Sequence, residues 1–86
     1  MITLIYAPVF VKQLKNLELS LQDEVLEKIN VFKNKDNHRI LKVHKLHGKF
    51  ANRFSFSVNY DTRIIFKYLK KDEVALLFVG DHDLYK

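Results

Sequence analysis

The stretch Phe54-Ser55-Phe56-Ser57-Val58-Asn59-Tyr60 decides the fold of this 86-residue chain. Apolar and polar residues alternate through it without a break. Because successive side chains of a β-strand point to opposite faces, this period of two predicts a strand with one buried and one polar face. The four apolar residues, Tyr60 included, are expected in the core, and Ser55, Ser57 and Asn59 are expected to face outward.

Two further strands are predicted downstream of this one. Asp61 and Thr62 read as a turn, residues 63–69 as a second strand, and residues 70–73 as a charged turn. Residues 74–79 form a continuous apolar run that suits a central strand. Strands connected by such short turns pair antiparallel.

Upstream, the pattern predicts one strand and two helices. Residues 2–6 are a β-branched and aromatic run, and Pro8 follows at a position where a helix can begin. Phe10, Leu14 and Leu17 then lie on one helical face. A second helix is predicted over residues 20–33, with Ser20 and the acids after it resembling a capping box. Its buried stripe is Leu21, Val25, Ile29 and Phe32.

Together these elements predict an α+β fold of order β-α-α-β-β-β. A helical hairpin is expected to pack on one face of a mostly antiparallel four-stranded sheet. The length suits a single domain over residues 1–86, and 48% apolar residues suffice for a core.

The composition also restricts the compartment and the partners. The chain has no cysteine, no signal-like apolar segment and no run long enough to span a membrane, so we expect a soluble cytoplasmic protein. The net charge of +5 favours anionic partners such as nucleic acid, the ribosome or an acidic protein segment.

The positive charge is concentrated in the middle of the chain. Between Lys33 and Arg53 there are seven basic residues and one acid, with three histidines interleaved. The sequence then ends Gly80-Asp81-His82-Asp83-Leu84-Tyr85-Lys86. Basic residues beside titratable imidazoles are what a small metal-free ribonuclease needs. The same pattern also fits a domain that only binds nucleic acid or an acidic partner.

Three segments, in this order and with the elements above, resemble the RelE/ParE superfamily of bacterial type II toxin-antitoxin toxins. They are Val43-His44-Lys45-Leu46-His47-Gly48, Tyr60-Asp61-Thr62-Arg63-Ile64-Ile65-Phe66 and Gly80-Asp81-His82-Asp83-Leu84-Tyr85. The resemblance covers the whole chain. It implies a toxin that acts as a ribosome-dependent mRNA endonuclease in the manner of YoeB, YafQ and RelE, that inhibits translation, and that is neutralised by a cognate antitoxin. Its partners would be that antitoxin, the ribosome and mRNA, with no cofactor and no metal.

The resemblance also implies roles for individual residues. His44 matches the position of a catalytic base, Arg63 that of the residue stabilising the scissile phosphate, and His82 that of a C-terminal acid. Tyr85 matches a terminal aromatic that stacks on a base or assists proton transfer, and Asp61 a carboxylate used by YafQ-like toxins. The side chains expected to bind RNA or the ribosome are Lys42, Lys45, Lys49 and Arg53.

Some positions depart from the family pattern. Phe54 and Phe56 stand where RelE-like toxins carry lysines, and Ser57 stands where YafQ-like toxins carry a second histidine. Two alternatives therefore stay open beside the nuclease: a ParE-like non-nuclease that inhibits DNA gyrase, and a catalytically silent binding module of the same fold.

Overall fold

The structure is a computed structural model that describes residues 1–81 and 84, except the side chain of Lys49. It contains two α-helices and five strands in these residues, which we label in chain order. They are β1 (Thr3–Tyr6), α1 (Pro8–Lys15), α2 (Leu19–Phe32), β2 (His44–Lys45), β3 (Phe54–Ser57), β4 (Arg63–Lys70) and β5 (Glu73–Gly80). Single turns of 3₁₀-helix occur at Lys35–Asn37 and Gly48–Phe50.

The strands form one mixed sheet in the order β1-β5-β4-β3-β2. β1 runs parallel to β5, and the other neighbours are antiparallel. The predicted α+β class and element order are confirmed. The predicted strand count of four is wrong, because the two-residue β2 pairs with the start of β3. A strand this short contains no complete period, so the alternation of apolar residues could not reveal it.

The helices cover one face of the sheet, as predicted. Phe10 of α1 and Val25, Ile29 and Phe32 of α2 are buried in one cluster with apolar residues of the sheet. At its centre the ring of Phe32 stacks on Phe56 with 4.5 Å between centroids, and meets the edge of Phe66 at 4.8 Å. These aromatic contacts stabilise the attachment of α2 to the sheet.

The start of α2 differs from its prediction. The helix begins at Leu19, and its N-cap residue Glu18 makes no side-chain capping bond, so the predicted capping box at Ser20 is wrong. The link between α1 and α2 is made instead by a side chain of α2 that bonds back to the preceding main chain. Gln22 Nε2 donates to the main-chain oxygens of Leu17 at 2.7 Å and Lys15 at 3.3 Å, which ties the first turns of α2 to the end of α1.

β3 ends earlier than its alternation predicted, and Tyr60 is exposed rather than buried, with 86% of its surface accessible. The side chain of Asn59 causes this: its Oδ1 accepts the amides of Asp61 at 2.9 Å and Thr62 at 2.8 Å. Such a turn ends the strand at Ser57 and leaves Tyr60 at the tip.

The sheet face away from the helices is not uniformly polar as predicted. Ser55 is fully buried, and its neighbour across the ladder, Ile65, is 1% exposed. Leu46 is also buried, and neither it nor Ile65 belongs to the helix-side core. The alternation thus distinguishes the two faces correctly, but it does not reveal that Ser55 is buried.

One further contact, an ion pair, lies at the surface of the molecule. Lys35 Nζ lies 2.6 Å from Asp72 Oδ1, joining the loop after α2 to the β4–β5 turn. The hydrogen bond from Lys35 lowers the pKa of Asp72 below its usual 3.8.

Within the described part of the chain, no helix has the length and apolar composition needed to cross a bilayer.

Phe32→Ala should lower the free energy of unfolding by about 3 to 5 kcal/mol, because it removes a fully buried ring that contacts two other phenylalanine rings and an imidazole. Tyr60→Ala should change it by less than about 0.5 kcal/mol, because this ring is exposed. Urea denaturation measures both. A large loss of stability in Tyr60→Ala would mean that Tyr60 is buried, as the sequence alternation predicts, and not exposed at the turn.

Candidate functional site

The register of the sheet brings two of the predicted site residues onto one face. His44 lies opposite Ser55 of β3, and Arg63 lies opposite both Ser57 of β3 and Gly80 of β5. Residues directly opposite each other in a ladder project to the same side of the sheet. Since the alternate residues Phe56, Ile64 and Val79 belong to the helix-side core, His44 and Arg63 share the other face, which we call the open face.

His44 is exposed on β2, and a contact to its own loop orients its ring. Nδ1 lies 2.8 Å from the main-chain oxygen of Lys42, a residue in the left-handed region with φ of 59°. A carbonyl oxygen only accepts hydrogen bonds, so Nδ1 carries the proton in this contact. In the neutral ring Nε2 then has its lone pair available, which is the state that a general base requires.

Arg63 opens β4, and its guanidinium is fixed at one corner. Nη1 donates to the main-chain oxygens of Asn59 at 2.5 Å and Thr62 at 3.1 Å. Nε and Nη2 have no hydrogen-bond partner within residues 1–81 and 84. These two groups form the edge of a guanidinium that binds two oxygens of a phosphate side by side, a geometry that lysine cannot offer.

Asp61 lies in a different environment from His44 and Arg63. It lines an open cleft of about 630 Å³ between α2 and the β3–β4 turn, and neither of the other two side chains reaches this cleft. The other carboxylates that line it are Glu18, Asp23, Glu24 and Glu27. A surface with five carboxylates repels phosphate, so it does not suit the binding of RNA.

His82 and Tyr85, the predicted C-terminal acid and the terminal aromatic, lie outside the described residues. The residues around them show where this segment begins. Gly80 is the register neighbour of Arg63, and the amide of Leu84 donates to the oxygen of Asp81 at 3.1 Å. A methyl group added at Gly80 would lie 3.1 Å from Leu84 Cδ2, so Leu84 packs closely over this glycine.

The predicted binding residues lie in and around the loop between β2 and β3. Lys42 and Lys45 are exposed, whereas Arg53 is half-buried with its Cζ 5.7 Å from the centre of the Phe78 ring. Lys49 belongs to the 3₁₀ turn Gly48–Phe50. Of the four predicted binding residues, the three whose side chains the structure describes therefore lie in β2 or in the segments directly before and after it.

Two residues have roles that the sequence did not indicate. His38 stacks on Phe32 at 4.5 Å, and its Nε2 lies 2.9 Å from the main-chain oxygen of Phe32, so it extends the aromatic core. Asn59, expected on a polar strand face, instead organises the turn that holds Arg63. Its place before Asp61 and Thr62 in a turn-prone segment was the available signal.

Among the described residues, no three His, Asp or Glu side chains come together in a way that could hold a metal ion. No protein-family model matches the sequence, and no curated protein matches it. The comparison with solved structures is informative about the fold.

The chain is similar in structure to a copper-bound mutant toxin from Helicobacter pylori, with a TM-score of 0.76 and 24% identity over 100% of both chains. It is also similar to the RelBE2 toxin-antitoxin complex of Mycobacterium tuberculosis, with a TM-score of 0.77 and 17% identity over 94% of this chain and 98% of the other. A YafQ mutant from E. coli gives 0.72 and 18% over 99% and 98%. The fold that the resemblance predicted is thus confirmed.

Gly80→Ala should displace Leu84 and shift the amide resonances of Asp81 and Leu84, because the new methyl group is a few tenths of an ångström too close to the Leu84 side chain. The φ of Gly80 is not positive, so the backbone itself tolerates alanine.

Gly48→Ala is the matched control. Gly48 has a φ of 71° with open space around it, so alanine should cost about 1 kcal/mol of stability through backbone strain without moving the resonances of Asp81 and Leu84. Unchanged Asp81 and Leu84 resonances in Gly80→Ala would show that Leu84 does not pack on Gly80.

Proposed function

We propose that this chain, which has the fold of the RelE-, YoeB- and YafQ-type toxins, is the toxin of a type II toxin-antitoxin system and a ribosome-dependent mRNA endonuclease. The observation that carries the proposal is the state of Arg63. One corner of its guanidinium is hydrogen-bonded to the protein, its Nε and Nη2 have no partner in the described residues, and it shares the open face with His44.

The proposed reaction is a transphosphorylation within the RNA. His44 Nε2 takes the proton of a ribose 2′-hydroxyl, whose oxygen forms a bond to the adjacent phosphorus. Arg63 Nε and Nη2 bind the two non-bridging oxygens and stabilise the charge that develops on them. The bond from phosphorus to the 5′-oxygen breaks, and His82 gives its proton to that oxygen. The products are a 2′,3′-cyclic phosphate and a 5′-hydroxyl, so neither water nor a redox partner is consumed.

Substrate binding is assigned to charge and to stacking. Lys42, Lys45, Lys49 and Arg53 neutralise phosphates of mRNA or ribosomal RNA, and Tyr85 stacks on a base next to the cleaved bond. Because the acidic cleft repels phosphates, RNA approaches from the open face. The catalytic role of Asp61 in that cleft stays a prediction. Cleavage of ribosome-bound mRNA by the Asp61→Asn variant tests it.

The proposed partner is a co-encoded antitoxin, in line with the toxin-antitoxin complexes among the similar structures. An acidic or amphipathic segment suits a chain with a net charge of +5, and an extended clamp can cover the open face. We place the toxin in the cytoplasm because that is where its proposed substrate, ribosome-bound mRNA, is found.

His44→Ala, Arg63→Ala and His82→Ala should each slow single-turnover cleavage of ribosome-bound mRNA by about 100-fold or more, because general acid-base groups contribute on the order of 10² to 10⁴. Ribosome affinity and melting temperature should stay close to those of the wild type. Arg63→Lys should also be poor, since an ammonium cannot bind two oxygens side by side.

His47→Ala is the control, because this histidine is exposed and belongs to the same segment without an assigned role. Product ends that carry a 5′-phosphate would contradict the mechanism. A variant that combines His44→Ala, Arg63→Ala and His82→Ala gives a further test. If its toxicity is undiminished, with intact mRNA and a DNA-damage response, a ParE-like action on gyrase is favoured instead.

Lys42→Glu combined with Lys45→Glu should weaken ribosome binding and reduce the slope of log affinity against log salt by about 1 or more for each phosphate that is no longer neutralised. Lys12→Glu combined with Lys15→Glu makes the same charge change on α1, in the helical layer on the other side of the sheet, and should leave the slope unchanged. Filter binding from low to moderate salt measures both pairs. Equal effects of the two pairs would show that net charge, and not the loop around β2, governs binding.

A further inference from the structure

Asn59 is a junction between α2, the β3–β4 turn and Arg63. Its Nδ2 donates to Glu24 Oε1 at 2.7 Å, which attaches the turn to the helix. Its Oδ1 accepts the amides of Asp61 and Thr62, which shapes the turn. Its main-chain oxygen accepts from Arg63 Nη1 at 2.5 Å. Asn59 therefore bonds to three parts of the molecule: its side-chain nitrogen to the helix, its side-chain oxygen to the turn, and its main-chain oxygen to Arg63.

The bond to Glu24 links the turn to a rigid part of the molecule. Glu24 precedes Val25, which is fully buried, so the helix at this point is held by the core. The turn itself is closed by the bond from the Val58 amide to the oxygen of Thr62 at 2.9 Å. The carbonyls of Asn59 and Thr62, which accept from Nη1, are thus fixed at both ends of the turn. Glu24 of α2 holds Asn59, and the amide of Val58 holds Thr62.

We propose that Asn59 and Glu24 are positioning residues that orient the phosphate-binding edge of Arg63; this inference rests on the proposed nuclease function. A free arginine side chain samples many rotamers, and aligning Nε and Nη2 with a phosphate would cost that freedom at each turnover. In this protein the rotamer entropy of Arg63 is lost once, when the chain folds, because Nη1 is already bound to the turn. Such preorganisation raises the rate of the chemical step without adding a contact to the substrate.

The variants for the test change the link between Asn59 and Glu24 without removing the turn. Asn59→Asp keeps an oxygen for the amides of Asp61 and Thr62, but it loses the Nδ2 donor and places a second carboxylate beside Glu24. Glu24→Gln alone keeps an acceptor for Nδ2. In the double variant, the amide introduced at 24 can donate to the carboxylate introduced at 59, which restores the link with its direction reversed.

The first measurement is independent of nuclease activity. NMR of the Arg63 side chain should show a guanidinium with restricted rotation in the wild type, in Glu24→Gln and in the double variant, and free rotation in Asn59→Asp. The control is Glu27→Gln, which makes the same charge change one turn along α2 and lines the same cleft. Restricted rotation that persists in Asn59→Asp would overturn the proposal.

The second measurement is single-turnover cleavage of ribosome-bound mRNA. Asn59→Asp should be slower by about 10- to 100-fold at saturating ribosome, with ribosome affinity unchanged, and the double variant should recover most of the rate. Loss of affinity instead of rate, or no recovery, would overturn the positioning role. If the wild type itself does not cleave, the nuclease proposal fails together with the chemical part of this inference, whereas the NMR result still decides whether Asn59 and Glu24 orient Arg63.

Discussion

The stacking of Phe32 on Phe56 is the contact on which the rest of the structure depends. Phe32 is the last residue of α2 and Phe56 lies in β3, so this contact joins the end of the helical layer to the strand next to one edge of the sheet. It fixes which face of β3 is turned toward the helices. Because the ladder transmits that choice from strand to strand, it also fixes the face on which His44 and Arg63 appear.

Much of this arrangement could be predicted from the amino-acid pattern, and the exceptions have physical reasons. The apolar periods of α2, β4 and β5 identify elements whose burial is decided by their own residues. Tyr60 is different, because its exposure is decided by the hydrogen bonds that the Asn59 side chain accepts from the amides of Asp61 and Thr62. The sequence does not show which of several possible partners a polar side chain binds. Ser55 is a second exception, because it is fully buried although the alternation placed it on the polar face.

The candidate site shows the same division. His44 and Arg63 could be named as candidates from the family resemblance alone. That they share one face could not be predicted, because it depends on the register of β2, a strand too short to show a period. The state of their side chains could not, since the proton on His44 Nδ1 depends on a carbonyl two residues away and the orientation of Arg63 depends on a turn. The separation of Asp61 from these two was equally out of reach, because it depends on how α2 packs beside the β3–β4 turn.

The parallel pairing of β1 with β5 has a consequence for how the molecule assembles. Thr3 pairs with Glu73, and Tyr6 pairs with Leu76, so nearly the whole chain lies between the two partners. The β4–β5 hairpin needs only a short loop to close, whereas β1 can add to it only after a much larger loss of chain entropy. We therefore expect the sheet to form outward from its local hairpin, with the first strand in sequence docking late in folding and detaching early in unfolding.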